Sequence, residues 1–242
     1  MFMLDYYTYT NRGGRGHNED AVGADVYGDS GMFIVADGLG GHKKGELASG
    51  CVIETMLSGY DGSPAADRAS WLKALMAVTN GRILALQEDK GCVMKSTAVA
   101  LCIDGDTATW AHAGDSRLYY IHDSEIIHVT HDHSVAYKKY AAGEITRYQI
   151  NTDPDQSTLL RTLGSTDRYE AESFGPQKIV KNDAFMLCSD GAWEYLHDYD
   201  VLVDYLKSED AKDWAEKLLL RIIDRVDGVN NDNLSVITVI VK

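Results

Sequence analysis

The sequence predicts an α+β fold, with antiparallel sheets packed on one another and covered by helices. Three observations point there. Strand-like runs rich in β-branched and aromatic residues follow one another across tight turns. Helical stripes are few and fall between long stretches of such runs. The strict strand–helix alternation of a doubly wound parallel sheet is missing.

The elements follow in order. Strands are expected at 5–10 and 32–36, then a helix at 46–57. A longer helix is expected at 67–87, where Leu72, Leu75, Met76, Thr79, Ile83 and Leu86 recur at steps of three and four. Strands at 97–103 and 107–112 are joined by Asp104-Gly105-Asp106, a good hairpin turn. Strands at 117–122 and 126–129 lead to a short helix at 133–142, and a further strand is expected at 185–189. The helix at 212–226 carries Trp214, Leu218, Ile222 and Val226 on one stripe, with Asp213 and Lys217 spaced to pair on its solvent side. A strand at 234–241 closes the chain.

With 242 residues, three prolines and no low-complexity stretch, a single domain over 1–242 is expected. The net charge of −14 argues against a nucleic-acid partner, because such binders neutralise phosphates with Lys and Arg. No apolar run approaches the roughly 20 residues that cross a bilayer, and Met1-Phe2-Met3-Leu4-Asp5 lacks the basic and apolar regions of a signal peptide. The chain therefore reads as cytoplasmic, with no membrane partner. Cys51, Cys92, Cys102 and Cys188 form no CxxC pair and sit among apolar residues, so buried reduced thiols are expected.

The run ADGLGGHKKGELASG, 36–50, follows an apolar strand and precedes a helix, the usual place for a phosphate loop. It fails both templates. Gly40 and Gly45 have Walker spacing, but Glu46-Leu47 stands where lysine and a hydroxyl are needed; Gly38 and Gly40 begin a dinucleotide fingerprint, but Lys43 replaces its third glycine. What remains is Asp37 at a strand end, followed by a glycine that lets the backbone come close. That suits either a hard cation or a simple turn.

Other apolar strands also end in acids: CSDG at 188–191, AGDSR at 113–117 and NDN at 231–233, with RGHNED at 15–20 after the first strand. Carboxylates gathered at one end of stacked sheets cannot all stay ionised unless cations compensate.

Together these segments resemble the metal-dependent serine/threonine protein phosphatase family, also called protein phosphatase 2C, in its bacterial stand-alone form. The resemblance runs from about residue 9 to 241. Its motifs come in family order: RGHNED, ADGLGGHKKGE, STAVAL, AGDSR, DHS, AGEIT, RTLG, CSDGAWE and NDNLSVI. It implies an antiparallel β-sandwich flanked by helices on both sides, an αββα four-layer fold. It also implies hydrolysis of phosphoserine and phosphothreonine by a water bridging two Mn²⁺ or Mg²⁺ ions. By motif match Asp37 would bridge both ions, Asp190 and Asp232 would complete one site, and the Gly38 carbonyl would serve the other. Glu19 and Asp20 would act through waters or from behind. Arg15 would bind phosphate. Asp115 would join Asp190 around a third ion, and Asn233 and Ser189 would orient the carboxylates. Phosphorylated proteins, a cognate Ser/Thr kinase and a monomeric state are the implied partners and assembly.

Some positions depart from the family. Leu39 stands where some members place a proton-donating histidine; His42, three residues later, is not expected to be catalytic. The flap, 143–158, carries Asp153 and Asp155 in place of the usual basic character, which suggests a basic or less acidic phosphopeptide. His128, His131 and His133 have HxxHxH spacing, but without a cysteine or fourth ligand zinc is not expected. A non-catalytic binding module and a nuclease are the alternatives; the full set of carboxylates opposes the first and the acidic surface the second.

Overall fold

The computed structural model describes residues 2–40, 44–226 and 231–242; His42 lies outside them. Two antiparallel sheets stack face to face. One has the order β1-β11-β10-β7-β8: β1 (Leu4–Asn11), β11 (Leu234–Val241), β10 (Ala184–Cys188), β7 (Arg117–His122) and β8 (Glu125–Val129). The other has the order β2-β3-β5-β6-β9: β2 (Asp20–Tyr27), β3 (Ser30–Leu39), β5 (Ala98–Asp104), β6 (Thr107–Ala113) and β9 (Glu172–Lys178). The two-residue β4 (Lys95–Ser96) extends the pairing of β3 beyond β5.

Strand periodicity builds the layers. Along β3, Phe33 and Val35 face the other sheet, while Met32, Ile34 and Ala36 face helices α1 (Gly45–Ser58) and α2 (Arg68–Lys90). Along β10, Phe185 and Leu187 face between the sheets, while Met186 and Cys188 face α5 (Asp198–Leu206) and α6 (Ala211–Arg225). Three apolar spaces result, one between the sheets and one under each helical pair, which is the expected αββα arrangement. Each large side chain fully buried in them contributes about 1.5–3 kcal/mol.

The helices follow their stripes. In α2, Leu72, Met76, Thr79 and Ile83 are buried. Asp67 caps its N-terminus by accepting from Ser70 N–H, and Gly91 ends it in the left-handed region. In α6, Trp214, Leu218 and Ile222 are buried and Lys217 pairs with Asp213. Short α3 (Val135–Ala141) begins where Ser134 accepts from Tyr137 N–H, two residues later than the expected start.

The sequence reading missed β2, β9, α5 and the one-turn helix α4 (Asp190–Trp193). All four cysteines are free, but only Cys102 and Cys188 are fully buried; Cys51 and Cys92 are half-buried, on helix-layer positions that solvent reaches. Among the described residues no helix is long and apolar enough to cross a membrane.

Candidate active site

Antiparallel connectivity explains why the acids meet. Asp20 starts β2, Asp37 lies near the end of β3, Asp115 sits in the β6–β7 crossover, Asp190 follows β10 and Asp232 precedes β11. Alternating strand direction brings these starts and ends to one end of the sandwich. There a cleft of about 520 Å³ is lined by Arg15, Glu19, Asp37, Gly38, Asp190 and Asp232, with His17, Leu39, Ser157 and Asn233 on its walls and rim.

Asp37 and Asp20 are direct register partners across β3 and β2. Both continue the face that packs between the sheets, Asp37 after Phe33 and Val35, and Asp20 before Val22, Ala24 and Val26. Two carboxylates are thus built opposite one another at the rim of an apolar core, an arrangement that destabilises unless a proton or cation intervenes. Burial, then the charges of Asp190, Asp20 and Asp115, push the Asp37 carboxyl well above its ordinary range. Burial, then Asp115 and Glu194, do the same to Asp190. Burial pushes Asp20 up to about 6, although Ser189 Oγ donates to its Oδ2 at 2.7 Å. Asp115, buried behind the cleft, is raised to about 7, first by burial and then by Asp132.

Glu19 and Gly38 are held by the start of α1. Glu19 Oε1 accepts from Gly45 N–H at 3.2 Å, and Gly38 N–H donates to Glu19 O at 3.1 Å. Gly38 and Gly45 pass so closely that a Cβ on Gly38 would lie 2.1 Å from the Gly45 oxygen. Only glycine fits at this close approach of strand and helix.

Ser189 touches Asp20 directly through its hydroxyl. Asn233 does something different: its side-chain oxygen accepts from Glu19 N–H at 2.7 Å and its amide donates to Arg12 O and His17 O, both at 2.9 Å. Its side chain thereby fastens the loop carrying Arg15 and Glu19 to the start of β11, while its backbone N–H donates to Asp232 Oδ1 at 2.8 Å. Arg15 does line the cleft, but its guanidinium docks on Asp232, Nε to Oδ1 at 3.0 Å and NH2 to Oδ2 at 2.7 Å.

Glu194 was missed by sequence reading. It lies four residues after Asp190, at the end of α4, and burial and the Asp232 charge push it up to about 7. The flap is tied to this segment. Gln156 donates to Glu194 Oε1 at 2.6 Å, and Asn151 donates to Trp193 O and Glu194 O. Asp153 and Asp155 are both engaged by Lys139 Nζ, at 2.8 and 2.7 Å. Lys139 thus pairs with both flap acids, and the Asp155 side chain remains 49% exposed.

The donor set fits hard divalent cations: oxygens only, clustered, with Asp20 Oδ1 buried and lacking any hydrogen-bond partner among the described residues. The histidine group does not fit a metal. Donors of His112, His133 and Glu172 lie within 4.8 Å of one another. However, the two rings stack with centroids 4.5 Å apart and planes at 14°. A metal lies in the plane of each ring that ligates it, so one ion cannot serve both. His133 Nδ1 also accepts from Gly114 N–H at 3.2 Å, which leaves the ring proton on Nε2, facing Glu172.

The comparisons with known proteins agree with this geometry. The family model described as protein phosphatase 2C matches residues 11–218. The chain belongs to the protein phosphatase 2C family. Curated family relatives include the serine/threonine phosphatase stp of Listeria welshimeri, 29% identical over 95% of this chain and 93% of that protein. They also include the serine/threonine protein phosphatase PstP of Mycobacterium tuberculosis, 28% identical over 97% of this chain. The chain spans 44% of the length of PstP. Among solved structures, the M. tuberculosis phosphatase superposes with a TM-score of 0.87 at 27% identity, over 100% of both chains. A structure of the PstP catalytic domain in complex with two manganese ions superposes at 0.85 and 27% identity, over 100% of this chain and 99% of that one.

Proposed function

We propose that this chain is a metal-dependent protein serine/threonine phosphatase that hydrolyses phosphoserine and phosphothreonine without a covalent intermediate. The observation that carries this reading is the gathering of Asp20, Asp37, Asp190 and Asp232 around one cleft, with Arg15 as the guanidinium at its edge. Carboxylates in such excess call for cations from outside. Asp37, the Gly38 carbonyl, Asp190 and Asp232 would hold two Mn²⁺ or Mg²⁺ ions, with Asp20 and Glu19 behind them and Asp115 beside Asp190 for a third. The ions would supply an attacking water of lowered pKa and a clamp on the displacement.

The chain's own groups do the rest. Arg15 presents two parallel donors to phosphate oxygens once it leaves Asp232. Ser189 and the Glu19–Gly45 contact hold the acids in place. Leu39 has no ionisable proton to give, so the leaving oxygen must be protonated by another group. Substrates would be phosphorylated proteins, with a cognate Ser/Thr kinase as the opposing enzyme. We place the protein in the cytoplasm, as a monomer of one catalytic domain with its flap at 143–158.

The test is hydrolysis of a phosphothreonine peptide. Activity should require Mn²⁺ or Mg²⁺, resist thiol-blocking reagents and vanish in Asp37→Asn and Asp232→Asn. Full activity in a chelator would refute the proposal. Calorimetry showing no Mn²⁺ uptake would instead favour a non-catalytic module.

A further inference from the structure

The β3–β5 ladder is regular from Ser30↔Asp104 to Val35↔Val99, and the β3–β4 pair resumes the same register at Gly38↔Ser96. Between them, opposite Asp37, stands Thr97, and here the ladder changes. Thr97 N–H donates to Asp37 O at 2.8 Å, as in any sheet. The reverse bond is different: Asp37 N–H donates to the Thr97 hydroxyl, Oγ1, at 3.0 Å. The Thr97 carbonyl is taken by Ser96 Oγ at 2.7 Å. A hydroxyl has replaced a carbonyl as acceptor, and unlike a carbonyl it can also donate. Its second partner is Ser116 Oγ at 2.7 Å, and both side chains are buried.

Ser116 follows Asp115 in the crossover from β6 to β7, where the chain passes from one sheet to the other. This crossover is held from several sides. Gly114 has φ +108° and passes so near Thr97 that a Cβ on it would lie 2.6 Å from Thr97 Cγ2. His133 N–H donates to Gly114 O at 2.9 Å, and Trp193 Nε1 donates to Asp115 O at 2.9 Å. The Thr97–Ser116 bond is the direct link from this crossover to the backbone of Asp37.

We infer that Thr97 and Ser116 are positioning residues, a two-hydroxyl strap that fixes the Asp37 strand end against the Asp115 crossover. The inference rests on the proposed phosphatase site, because it assigns Asp37 and Asp115 to cation binding. A carboxylate shared between ions must be held to a fraction of an ångström, and at Asp37 the carbonyl bond of the ladder gives way to a hydroxyl before pairing resumes at Gly38↔Ser96. The strap supplies it across the two sheets.

Four variants test this: Thr97→Val, which keeps shape and loses the hydroxyl; Thr97→Ser, which restores it; Ser116→Ala; and the double variant Thr97→Val/Ser116→Ala. Each is assayed by Mn²⁺ titration calorimetry, by thermal melting without metal, and by kcat and KM on a phosphothreonine peptide. Thr97→Val should weaken Mn²⁺ binding and lower kcat by about tenfold each, the scale of one buried hydrogen bond, with KM nearly unchanged. Thr97→Ser should recover to within about twofold, and the double variant should be no worse than the more affected single one. Wild-type Mn²⁺ affinity in Thr97→Val with only a lower melting temperature would overturn the inference, as would Mn²⁺-affinity losses that multiply in the double variant. If Thr97→Val does not fold, Ser116→Ala decides by the same criteria. Failure of the phosphatase reading shows separately, as an inactive wild type, and the calorimetric comparison remains valid in that event.

Discussion

Two acid-rich regions of the molecule differ in one respect. On the helical face of the β1-containing sheet, the two buried carboxylates of α5 each have an arginine. Asp204 is gripped by Arg221 at 2.6 and 2.7 Å, and Asp200 by Arg225 at 2.6 and 3.1 Å. Arg225 and the His197 backbone hold Asp200 below its ordinary range despite its burial. Asp132, fully buried, is likewise held by Arg117 at 2.8 and 2.7 Å, and Arg117 stacks on Trp193 at 3.7 Å. At the cleft, Asp20, Asp37, Asp115, Asp190 and Glu194 have hydroxyls, amides and one another, and every one of them is raised. The chain can pair buried acids with arginine and does so within a few residues of the cleft. The unpaired set is therefore a place suited to a counter-charge that the described residues do not supply.

The sharpest way to break this comparison is to mutate one acid from each class. Asp37→Asn should abolish phosphopeptide hydrolysis, by at least about a thousandfold, yet leave the metal-free fold as stable as wild type or more so, because it removes a like charge. Asp132→Asn should do the opposite. Arg117 would be left buried and uncompensated, a loss of about 3–5 kcal/mol, while Mn²⁺ still binds whatever remains folded. Melting curves in a chelator beside Mn²⁺ titrations measure both. Equal destabilisation by the two substitutions would erase the distinction.

Metal itself should separate the regions next. At a hundredfold excess over its dissociation constant, Mn²⁺ adds about 2.7 kcal/mol to the folded state. For a chain of this length that is a rise of roughly 5–10 °C in melting temperature. The rise should persist in Arg225→Gln, which breaks the paired region, and disappear in Asp37→Asn.

Much of this was legible in the sequence, and the failures have physical causes. Strands such as β7 and β11 announce themselves because both of their faces are apolar. β2 does not: its DAVGADVY run is mostly small residues with an acid on each face, and Gly23 is there because a Cβ would lie 2.6 Å from Ile53 of α1. β9 was hidden by Gly175-Pro176, which only an edge position tolerates. α5 drew no expectation, because the partners of Asp200 and Asp204 lie 25 and 17 residues away, on α6. At the site, strand-ending acids could be named from the residues alone, but their roles came from the family resemblance. The Asn233 side chain touches backbone, Asp153 and Asp155 pair with Lys139, and Glu194 matters through burial. None of these is a property of local sequence.

The titration behaviour sharpens the comparison further. Asp20 at about 6 and Asp115 and Glu194 at about 7 are raised above their unfolded values of 3.8, 3.8 and 4.5. Such groups bind their protons more tightly in the folded state. Their contribution is fully present below the unfolded values and is lost as pH rises through 6 and 7. Asp200 is lowered, so its contribution is present above 3.8 and fails on acidification. Without metal the protein should therefore lose stability between about pH 4 and 7, and with saturating Mn²⁺ that decline should flatten. Melting temperatures across this range, with chelator and with Mn²⁺, give the answer; parallel curves would place the raised carboxyls outside the ion site.

The smallest effect concerns the one arginine that the cleft does possess. Arg15 pairs with Asp232, but both are substantially exposed, 56% and 37% of their side chains. The family resemblance gives Arg15 to phosphate and Asp232 to metal, so in this arrangement each takes the place of the other's ligand. An exposed pair contributes only about 0.2–1 kcal/mol, which a divalent cation displaces easily. Arg15→Ala should therefore barely change metal-free stability and should tighten Mn²⁺ binding by up to about fivefold, the same energy read from the other side. Its KM for phosphopeptide should rise, because the freed guanidinium is no longer there to meet the phosphate. Arg15→Lys keeps the charge without the two parallel donors, so it should recover little of the KM loss. Metal affinity unchanged in Arg15→Ala would mean that Asp232 is not a ligand, and would move the second ion site to Asp190 and Glu194.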